Sequence, residues 1–306
     1  MDLSIIIPTK ERGNIFYKTL EHSVNAIKHI HAEIIVVNDS KTSHPEIEKW
    51  INAPIILIDN VKSGVASARN AGAAIAKSDL LLFLDDDILI STKTIEQTLS
   101  VHRQEKNICV NPDWIYPPEL TAHLDEYSFG RYLLKHNLTN FKGWYKNPRW
   151  KNNALFESLM IASFHLSMDK DSFLKSGGYN ESFQHSGFED YDFPVRLNKM
   201  GMRFLIDTRI LVYHNEADKV DSIELWLKKQ KEVAATRKHG VKIGYSELAI
   251  TYPAFKKFVL RFFIRIKPLL MLLVKSIPNA RWANKIYFRL VLTLQAVSIF
   301  EGYNKK

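Results

Sequence analysis

The sequence has a single cysteine, Cys109, among its 306 residues. One thiol cannot form an internal disulfide, so disulfide-stabilised secreted folds and metal sites built from several cysteines are both excluded. No secretory signal is expected, because the first apolar run, residues 3–8, is too short and charged residues follow it closely. No uninterrupted apolar stretch reaches the length of a transmembrane helix. We therefore expect a cytoplasmic protein.

Acidic residues are scarce near the C-terminus. From residue 219 onward there are 18 Lys and Arg against 5 Asp and Glu, whereas the first 218 residues have 24 against 28. This asymmetry predicts a division into residues 1–220 and a basic region, residues 221–306, that meets an anionic partner.

The basic region has a helical pattern with two kinds of side chain. Lys257, Arg261 and Arg265 share one helix face at intervals of four residues. The other sides of the helix carry apolar residues, namely Phe258, Phe262, Phe263 and Ile266. This pattern is typical of a helix on a membrane surface, although a helix docked on the rest of the protein has it too. We expect peripheral association with the cytoplasmic face of a membrane. Nucleic acid is not expected as a partner, because no recognised motif is present.

Short apolar runs alternate with helical patterns along the first 90 residues. The alternation predicts a parallel sheet covered by helices, an α/β fold. The predicted strands are residues 3–7, 33–37, 54–58 and 80–84, and the predicted helices are 15–29, 45–50 and 65–76.

Acidic side chains follow two of these strands. Asp39 comes after the second strand, and Asp85, Asp86 and Asp87 come after the fourth. Open α/β sheets bind ligands at the carboxyl ends of their strands, and adjacent carboxylates are useful when a hard cation neutralises them. Aspartate is also a common turn residue, so a solvated turn is the alternative.

The pattern continues less regularly beyond residue 90. We predict helices at 91–104 and 170–176, strands at 107–110, 159–168, 203–206 and 211–213, and a helix that begins near Glu189 and ends at Gly201. The aromatic segment 111–154 either packs in the interior or stacks on a ligand. Glu189, Asp190 and Asp192 crowd one helix start, which exceeds what N-capping requires.

Taken together, these residues resemble family 2 glycosyltransferases with the GT-A fold. The resemblance extends to about Glu216 and rests on five motifs in order: SIIIPTKER, EIIVVNDS, GVASARNAG, LDDD, and GGYNESF followed by GFEDYDFPVRL. It implies a Rossmann-like nucleotide-diphospho-sugar transferase domain with a mixed, mainly parallel sheet and flanking helices, followed here by the helical basic tail. It also implies transfer of a sugar from a nucleotide donor, usually a UDP-sugar, with Mn²⁺ or Mg²⁺.

The resemblance also implies roles for individual residues. Asp190 is the catalytic base, supported by Glu189, and His214 joins Asp85 and Asp87 as a metal ligand. The residues implied for the nucleotide-sugar pocket are Pro8, Thr9, Glu11, Asp39, Arg69, Asp85 and Asp86. Asp86 takes the variable middle place of the acidic motif and is expected to be the most replaceable.

The residue types suit this chemistry. Carboxylates can hold a cation against a departing diphosphate, and a carboxylate base can take the proton of an acceptor hydroxyl in a single inverting displacement. The expected acceptor is a glycan or a lipid-linked glycan. Two alternatives stay open: a non-catalytic nucleotide-sugar or membrane-binding module of the same fold, and a nucleotidyltransferase, for which PTKERGN is a poor phosphate loop.

Overall fold

A computed structural model describes residues 1–41, 45–50, 52–183 and 187–304. Within these described residues, nine strands form one sheet: β1 (Leu3–Thr9), β2 (Ala32–Asn38), β3 (Ile55–Asp59), β4 (Leu80–Leu84), β5 (Ile88–Leu89), β6 (Ile108–Ile115), β7 (Leu155–Ser158), β8 (His165–Asp169) and β9 (Arg203–His214). The α-helices are α1 (Asn14–Ala26), α2 (Val65–Ile75), α3 (Thr92–Gln104), α4 (Pro118–His123), α5 (Ser128–Lys135), α6 (Phe141–Tyr145), α7 (Lys170–Lys175), α8 (Glu189–Lys199), α9 (Ile223–Lys242), α10 (Ala254–Arg265), α11 (Lys267–Ser276) and α12 (Asn284–Asn304). Short 3₁₀ helices occur at Glu48–Trp50, Leu124–Glu126, Ser246–Leu248 and Arg281–Ala283.

The strand order is β3-β2-β1-β4-β8-β6-β9-β5, and β7 also pairs with β9. The predicted parallel arrangement is confirmed for β1 to β4, where β1 lies between β2 and β4. β8 runs antiparallel to both β4 and β6, while β6 and β9 are parallel. The sheet is therefore mixed, and its parallel part has the continuous apolar sequences of strands buried on both faces.

Two strand predictions need correction. Only the last part of the strand expected at 159–168 is a strand, β8, which begins at His165; residues 159–164 form an irregular segment that follows β7. There the Ser158 hydroxyl bonds the backbone of Met160, and the Asn111 side chain bonds the backbone of Ala162. These side-chain bonds replace the ladder of a sheet.

The two short strands expected at 203–206 and 211–213 are one strand, β9. Its pairing with β6 shifts register between Pro112 and Asp113, so that Asp207 and Leu211 oppose consecutive residues of β6. An interruption of this kind is a β-bulge, which bends a strand without ending it.

Most predicted helices are confirmed within a few residues, and the Ser91 cap of α3 is present. The helix expected at 45–50 is reduced to the 3₁₀ turn Glu48–Trp50. In the aromatic segment 111–154, burial favours packing for Trp114, Tyr116, Phe129, Tyr132 and Phe141.

The chain divides into two compact units. The first comprises Met1–Pro117, Asn140–Gln184 and Glu189–Glu216, and the second comprises Pro118–Thr139, His185–Phe188 and Ala217–Lys306. Residues 118–139, which precede the predicted boundary near residue 220, belong to the second unit. The division at residue 220 remains a prediction about function.

The core of the first unit lies between the sheet and helices α2, α7 and α8. It includes Ile6, Phe83, Leu166, Phe173 and Phe193, all of them buried. Gly72 lets α2 approach β1 closely, because an added Cβ would lie 2.4 Å from the Ile6 Cγ2 atom.

The second unit is helical. α9 and α12 are its longest helices, and α10 and α11 pack against α12. Among the described residues, every helix is too short or too polar to cross a lipid bilayer.

Candidate active site

The carboxyl ends of β1 and β2 form one side of the candidate site. Thr9 opposes Asn38 in the parallel register, and the Asp39 amide donates a 2.8 Å hydrogen bond to the Thr9 carbonyl. Pro8 and Thr9 are buried, whereas Glu11 is exposed and accepts a hydrogen bond from the Ser40 hydroxyl at 3.1 Å. The structure therefore brings these predicted pocket residues together at one sheet edge.

Asp39 organises the entrance to α2. Its Oδ1 accepts hydrogen bonds from the Gly64 amide at 2.9 Å and from the Asn60 side chain at 2.5 Å. The Lys10 ammonium lies 3.4 Å from Oδ2. Asp39 thus fixes the loop before α2, and its place in the nucleotide-sugar pocket remains a prediction.

Asp86 and Asp87 share one cation, Arg12. The Arg12 guanidinium lies 2.8 Å from Asp87 Oδ2 and 3.4 Å from Asp86 Oδ1, and Thr9 donates to Asp86 Oδ2 at 2.8 Å. Burial and the adjacent Asp87 charge raise the pKa of Asp86 to about 7, although Arg12 and the Thr9 hydrogen bond oppose the shift. Asp86 is therefore tied to β1 and the following loop, and its expected replaceability remains a prediction.

Asp87 also belongs to a group of possible metal ligands. One ligand atom each from Asp87, His214 and Glu216 lies within 4.8 Å of the others. The antiparallel pairing of β5 with β9 places them there, because Ile88 opposes His214. Next to this pair, the backbone N–H of Asn215 donates a 2.7 Å hydrogen bond to the backbone carbonyl of Asp87. Two carboxylates and an imidazole form a donor set that suits a divalent cation.

Aromatic side chains hold the ligand group in place. The Trp114 ring meets the His214 ring edge-on with centroids 4.9 Å apart, and the Tyr116 hydroxyl donates to Glu216 Oε2 at 2.5 Å. Hydrogen bonds of this kind orient ligand side chains before a metal arrives.

Asp85 lies outside this group of three and pairs with Arg69 instead. The Arg69 guanidinium is 2.8 Å from Asp85 Oδ1 and 3.6 Å from Glu189 Oε1, and only 3% of the Arg69 side chain is exposed. Burial opposes the charge, but Asp85 and the neighbouring acids raise the pKa of Arg69 above its usual value. Arg69 therefore joins the end of β4 to the start of α8. The implied roles of Asp85 as a metal ligand and of Arg69 in the nucleotide-sugar pocket remain predictions.

Asp190 is held by a chain of hydroxyl groups. Its carboxylate accepts a hydrogen bond from Ser163, and the Ser163 and Tyr179 hydroxyl oxygens are 2.7 Å apart. Tyr179 lies under Arg69, whose guanidinium carbon is 5.0 Å from the ring centroid. The predicted base thus lies at the first turn of α8, joined to the acidic motif through Tyr179, Arg69 and Asp85.

Several residues of this arrangement had no predicted role. Glu216 follows His214 by two positions, which is a signal because alternate strand residues share a face. Arg12 lies inside the quoted motif SIIIPTKER, so its presence near the acids could have been anticipated. Tyr179 lies inside the quoted motif GGYNESF, and Trp114 and Tyr116 lie in the aromatic segment 111–154, whose pattern does not say which rings meet the acids. Ser163 carries no local signal, because only the folded chain brings it to Asp190.

Comparison with known proteins identifies the family. The sequence pattern described as Glycosyl transferase family 2 matches residues 4–173, more than half of the chain. The chain belongs to this family. The match includes the acidic motif and ends before α8, so Glu189, Asp190 and His214 lie beyond it.

Two curated relatives extend the similarity. An uncharacterised glycosyltransferase of Haemophilus influenzae is 29% identical over 201 residues, which cover 64% of this chain and 61% of the relative. The O-antigen biosynthesis protein RfbC of Myxococcus xanthus is 22% identical over 74% of this chain and 18% of its own length. The chain thus spans less than two thirds of the length of either relative.

A solved structure supports the fold. A mannosyltransferase of Pyrobaculum calidifontis, in complex with GDP-mannose and Mn²⁺, superposes with a TM-score of 0.56 at 11% identity, covering 100% of this chain and 88% of that one. At this identity the likeness concerns the fold, which is the GT-A fold.

Proposed function

We propose that this family 2 member is an inverting glycosyltransferase that moves a sugar from a nucleotide sugar, with a UDP-sugar as donor, to a glycan or lipid-linked glycan. The donor sugar is a hexose or N-acetylhexosamine. The observation that carries the proposal is the linked arrangement of Asp190, Arg69, Asp85 and the Asp87, His214 and Glu216 group in one compact unit.

The nucleotide part of the donor is proposed to lie at the edge formed by Pro8, Thr9, Glu11 and Asp39. The carboxyl ends of parallel strands are where open α/β sheets bind nucleotides. The RfbC relative, named for O-antigen synthesis, supports a polysaccharide or lipopolysaccharide product. The GDP-mannose in the Pyrobaculum enzyme makes a GDP-sugar the first alternative donor.

Asp87, His214 and Glu216 are proposed to hold Mn²⁺ or Mg²⁺, with Asp85 close by. A divalent cation there supplies positive charge against the negative charge that grows on the departing nucleoside diphosphate. Arg12 already neutralises part of the acidic cluster through its 2.8 Å contact with Asp87. Trp114 and Tyr116 keep the ligand side chains oriented.

Asp190 is proposed to take the proton of the acceptor hydroxyl. The acceptor oxygen forms a bond to the anomeric carbon as the bond to the diphosphate oxygen breaks, so the configuration inverts. Ser163 fixes one carboxylate oxygen of Asp190, which leaves the carboxylate oriented for this transfer. Glu189 and Arg69 hold the start of α8 in position.

The test combines a donor screen with two variants of the full chain. Nucleoside diphosphate release is measured with UDP-sugars and GDP-sugars, Mn²⁺ or Mg²⁺, and membrane extract as the source of acceptor. Asp190→Asn is expected to lose turnover by about 10²–10⁴-fold, the usual contribution of a general base, while calorimetry shows donor binding preserved. Asp87→Ala is expected to weaken metal-dependent donor binding instead.

Asp171→Asn is the matched control, because Asp171 is an exposed acid at the start of another helix. It is expected to keep full activity. An Asp190→Asn protein with wild-type turnover contradicts the assignment of the base. Donor binding without any turnover, for all donors tested, favours the non-catalytic module.

A further inference from the structure

Helix α10 has a well-defined inner face. Leu260 is buried in a cluster with Val297 and Phe300 of α12, and Phe263 and Ile264 pack against that cluster. These contacts fix the rotation of α10 about its axis, and they determine which of its side chains face outward.

The outward face of α10 is aromatic. Phe255, Phe258 and Phe262 are 79%, 72% and 53% exposed. Their spacing of i, i+3 and i+7 places them on one helix face, opposite Leu260. We call these three residues the aromatic ridge. Three neighbouring phenylalanines in water are unfavourable, and a patch of this kind marks an interaction surface.

Positive charge surrounds the ridge. Residues 251–300 include nine Lys and Arg and no Asp or Glu. Lys257, Arg261 and Arg265, which we call the basic stripe, are exposed on the flank of the ridge. Exposed leucines follow directly on α11, namely Leu269, Leu272 and Leu273.

We propose that the aromatic ridge inserts into the interface of a membrane rich in anionic phospholipids, with the basic stripe on the lipid phosphates. Only the purpose of this membrane binding rests on the proposed function: it holds the enzyme where a lipid-linked acceptor is found. Apolar rings between cationic side chains fit the boundary between headgroups and acyl chains.

The composition of this surface argues against two other binding partners, a second copy of the chain and nucleic acid. A two-fold contact between copies of α10 would bring two basic stripes together, with no acid in residues 251–300 to pair with them. Nucleic acid would satisfy the cations and could stack on rings, but the adjacent leucines of α11 offer no stacking surface. A bilayer satisfies the rings, the leucines and the charges together.

The test is vesicle flotation of the full chain without donor or metal. The probes are phosphatidylcholine vesicles with and without phosphatidylglycerol. We expect binding to the anionic vesicles. The variant Phe255→Ser, Phe258→Ser, Phe262→Ser is expected to bind about 1,000-fold more weakly, because each buried phenylalanine accounts for roughly a tenfold factor and the three factors multiply.

The charge variant Lys257→Gln, Arg261→Gln, Arg265→Gln measures separately what the basic stripe contributes to vesicle binding. Each charge near an anionic surface is worth about a fivefold factor, so binding is expected to weaken by about 100-fold at low salt and to lose much of its salt dependence.

The matched control for the ridge variant is Leu174→Ser, Met200→Ser, Leu211→Ser. It removes three other exposed apolar side chains and is expected to leave vesicle binding unchanged.

Three results would overturn the proposal. The ridge variant could bind anionic vesicles as tightly as the wild type. It could change a dimer into a monomer while vesicle binding stays the same, which would assign the ridge to self-association. Binding that only the charge variant loses, and that a single-stranded oligonucleotide displaces, would assign the surface to nucleic acid. Calorimetry of donor binding in the ridge variant reports separately on the proposed enzyme function.

Discussion

Glu216 and His214 lie two residues apart at the end of β9, and each offers a ligand atom to the group that includes Asp87. Replacing Glu216 by Gln removes one negative charge and keeps the size of the side chain. We expect the affinity for Mn²⁺ to fall by about tenfold or more, because even the outer partners of metal ligands contribute that much. Calorimetric titration of Mn²⁺ in the presence of UDP measures the change.

Glu181→Gln is the control for this change, because Glu181 is an exposed acid in the same unit that pairs with Lys62. Its Mn²⁺ affinity is expected to equal that of the wild type. If Glu216→Gln binds Mn²⁺ as tightly as the wild type while His214→Ala does not, Glu216 serves only to orient the histidine.

At the residue scale, the predictable part of the site follows from strand order. Asp39 and Asp85 share a sheet edge because parallel strands bring their carboxyl ends together. The contact of Ser163 with Asp190 could not be predicted in this way, because Ser163 lies in the irregular segment between β7 and β8. Arg69 was predicted beside the nucleotide, but its partners Asp85 and Glu189 are set by side-chain packing that periodicity does not encode.

At the scale of elements, α9 and α12 approach so closely that one glycine is required. A Cβ at Gly302 would lie 2.0 Å from the backbone oxygen of Lys231, a contact that only a shift of one helix can relieve. Gly302→Ala is therefore expected to destabilise the protein by about 2 kcal/mol, as overpacking does, despite the higher helix propensity of alanine. Urea denaturation measures the change.

Gly240→Ala is the comparison variant, because Gly240 lies on α9, the helix that Gly302 approaches, but faces the 3₁₀ helix Ser246–Leu248. Its nearest contact is the Cδ1 atom at the flexible end of the Leu248 side chain, 2.8 Å away. That end can move, so we expect a change of less than about 1 kcal/mol in either direction. Equal destabilisation by the two variants would show that the approach of the backbones at Gly302 is not what limits the packing.

The bounds of strands and helices were predictable where a single hydrophobic pattern ran through the whole segment. The continuous apolar runs of β1, β2 and β4 and the capped helix α3 were found within two residues of their bounds. Prediction was wrong at 159–168, because Leu159 and Met160 are apolar in sequence but exposed in the structure. It was also wrong at 203–213, because the bulge near Asp207 interrupts the alternation without ending the strand.

At the scale of the whole molecule, the buried His165 contributes to the dependence of stability on pH. His165 is 1% exposed on β8, and neither ring nitrogen has a hydrogen-bond partner elsewhere in the described part of the chain. Burial lowers the pKa of His165 to about 4, well below its usual 6.5. As the pH falls through 6.5, the unfolded chain takes up a proton and the folded chain does not, so the folded state loses stability until the pH reaches about 4.

His165→Leu removes the contribution of His165 to this dependence and tests it. Between pH 7.5 and pH 5.5 the unfolded chain takes up most of one proton at this residue, whereas the folded chain takes up almost none. The free energy of unfolding therefore falls by about 1 kcal/mol. We expect His165→Leu to gain about that much over the wild type on going from pH 7.5 to pH 5.5, measured by urea denaturation at both values. An apolar side chain leaves no unpartnered ring nitrogens behind, so no loss of stability is expected at pH 7.5.

His29→Leu, a change at the surface, is the control and is expected to leave the difference in stability between the two pH values unchanged. A His165→Leu protein that keeps the wild-type difference would show that this ring is protonated in the folded state, and hence that a negative charge or water reaches it.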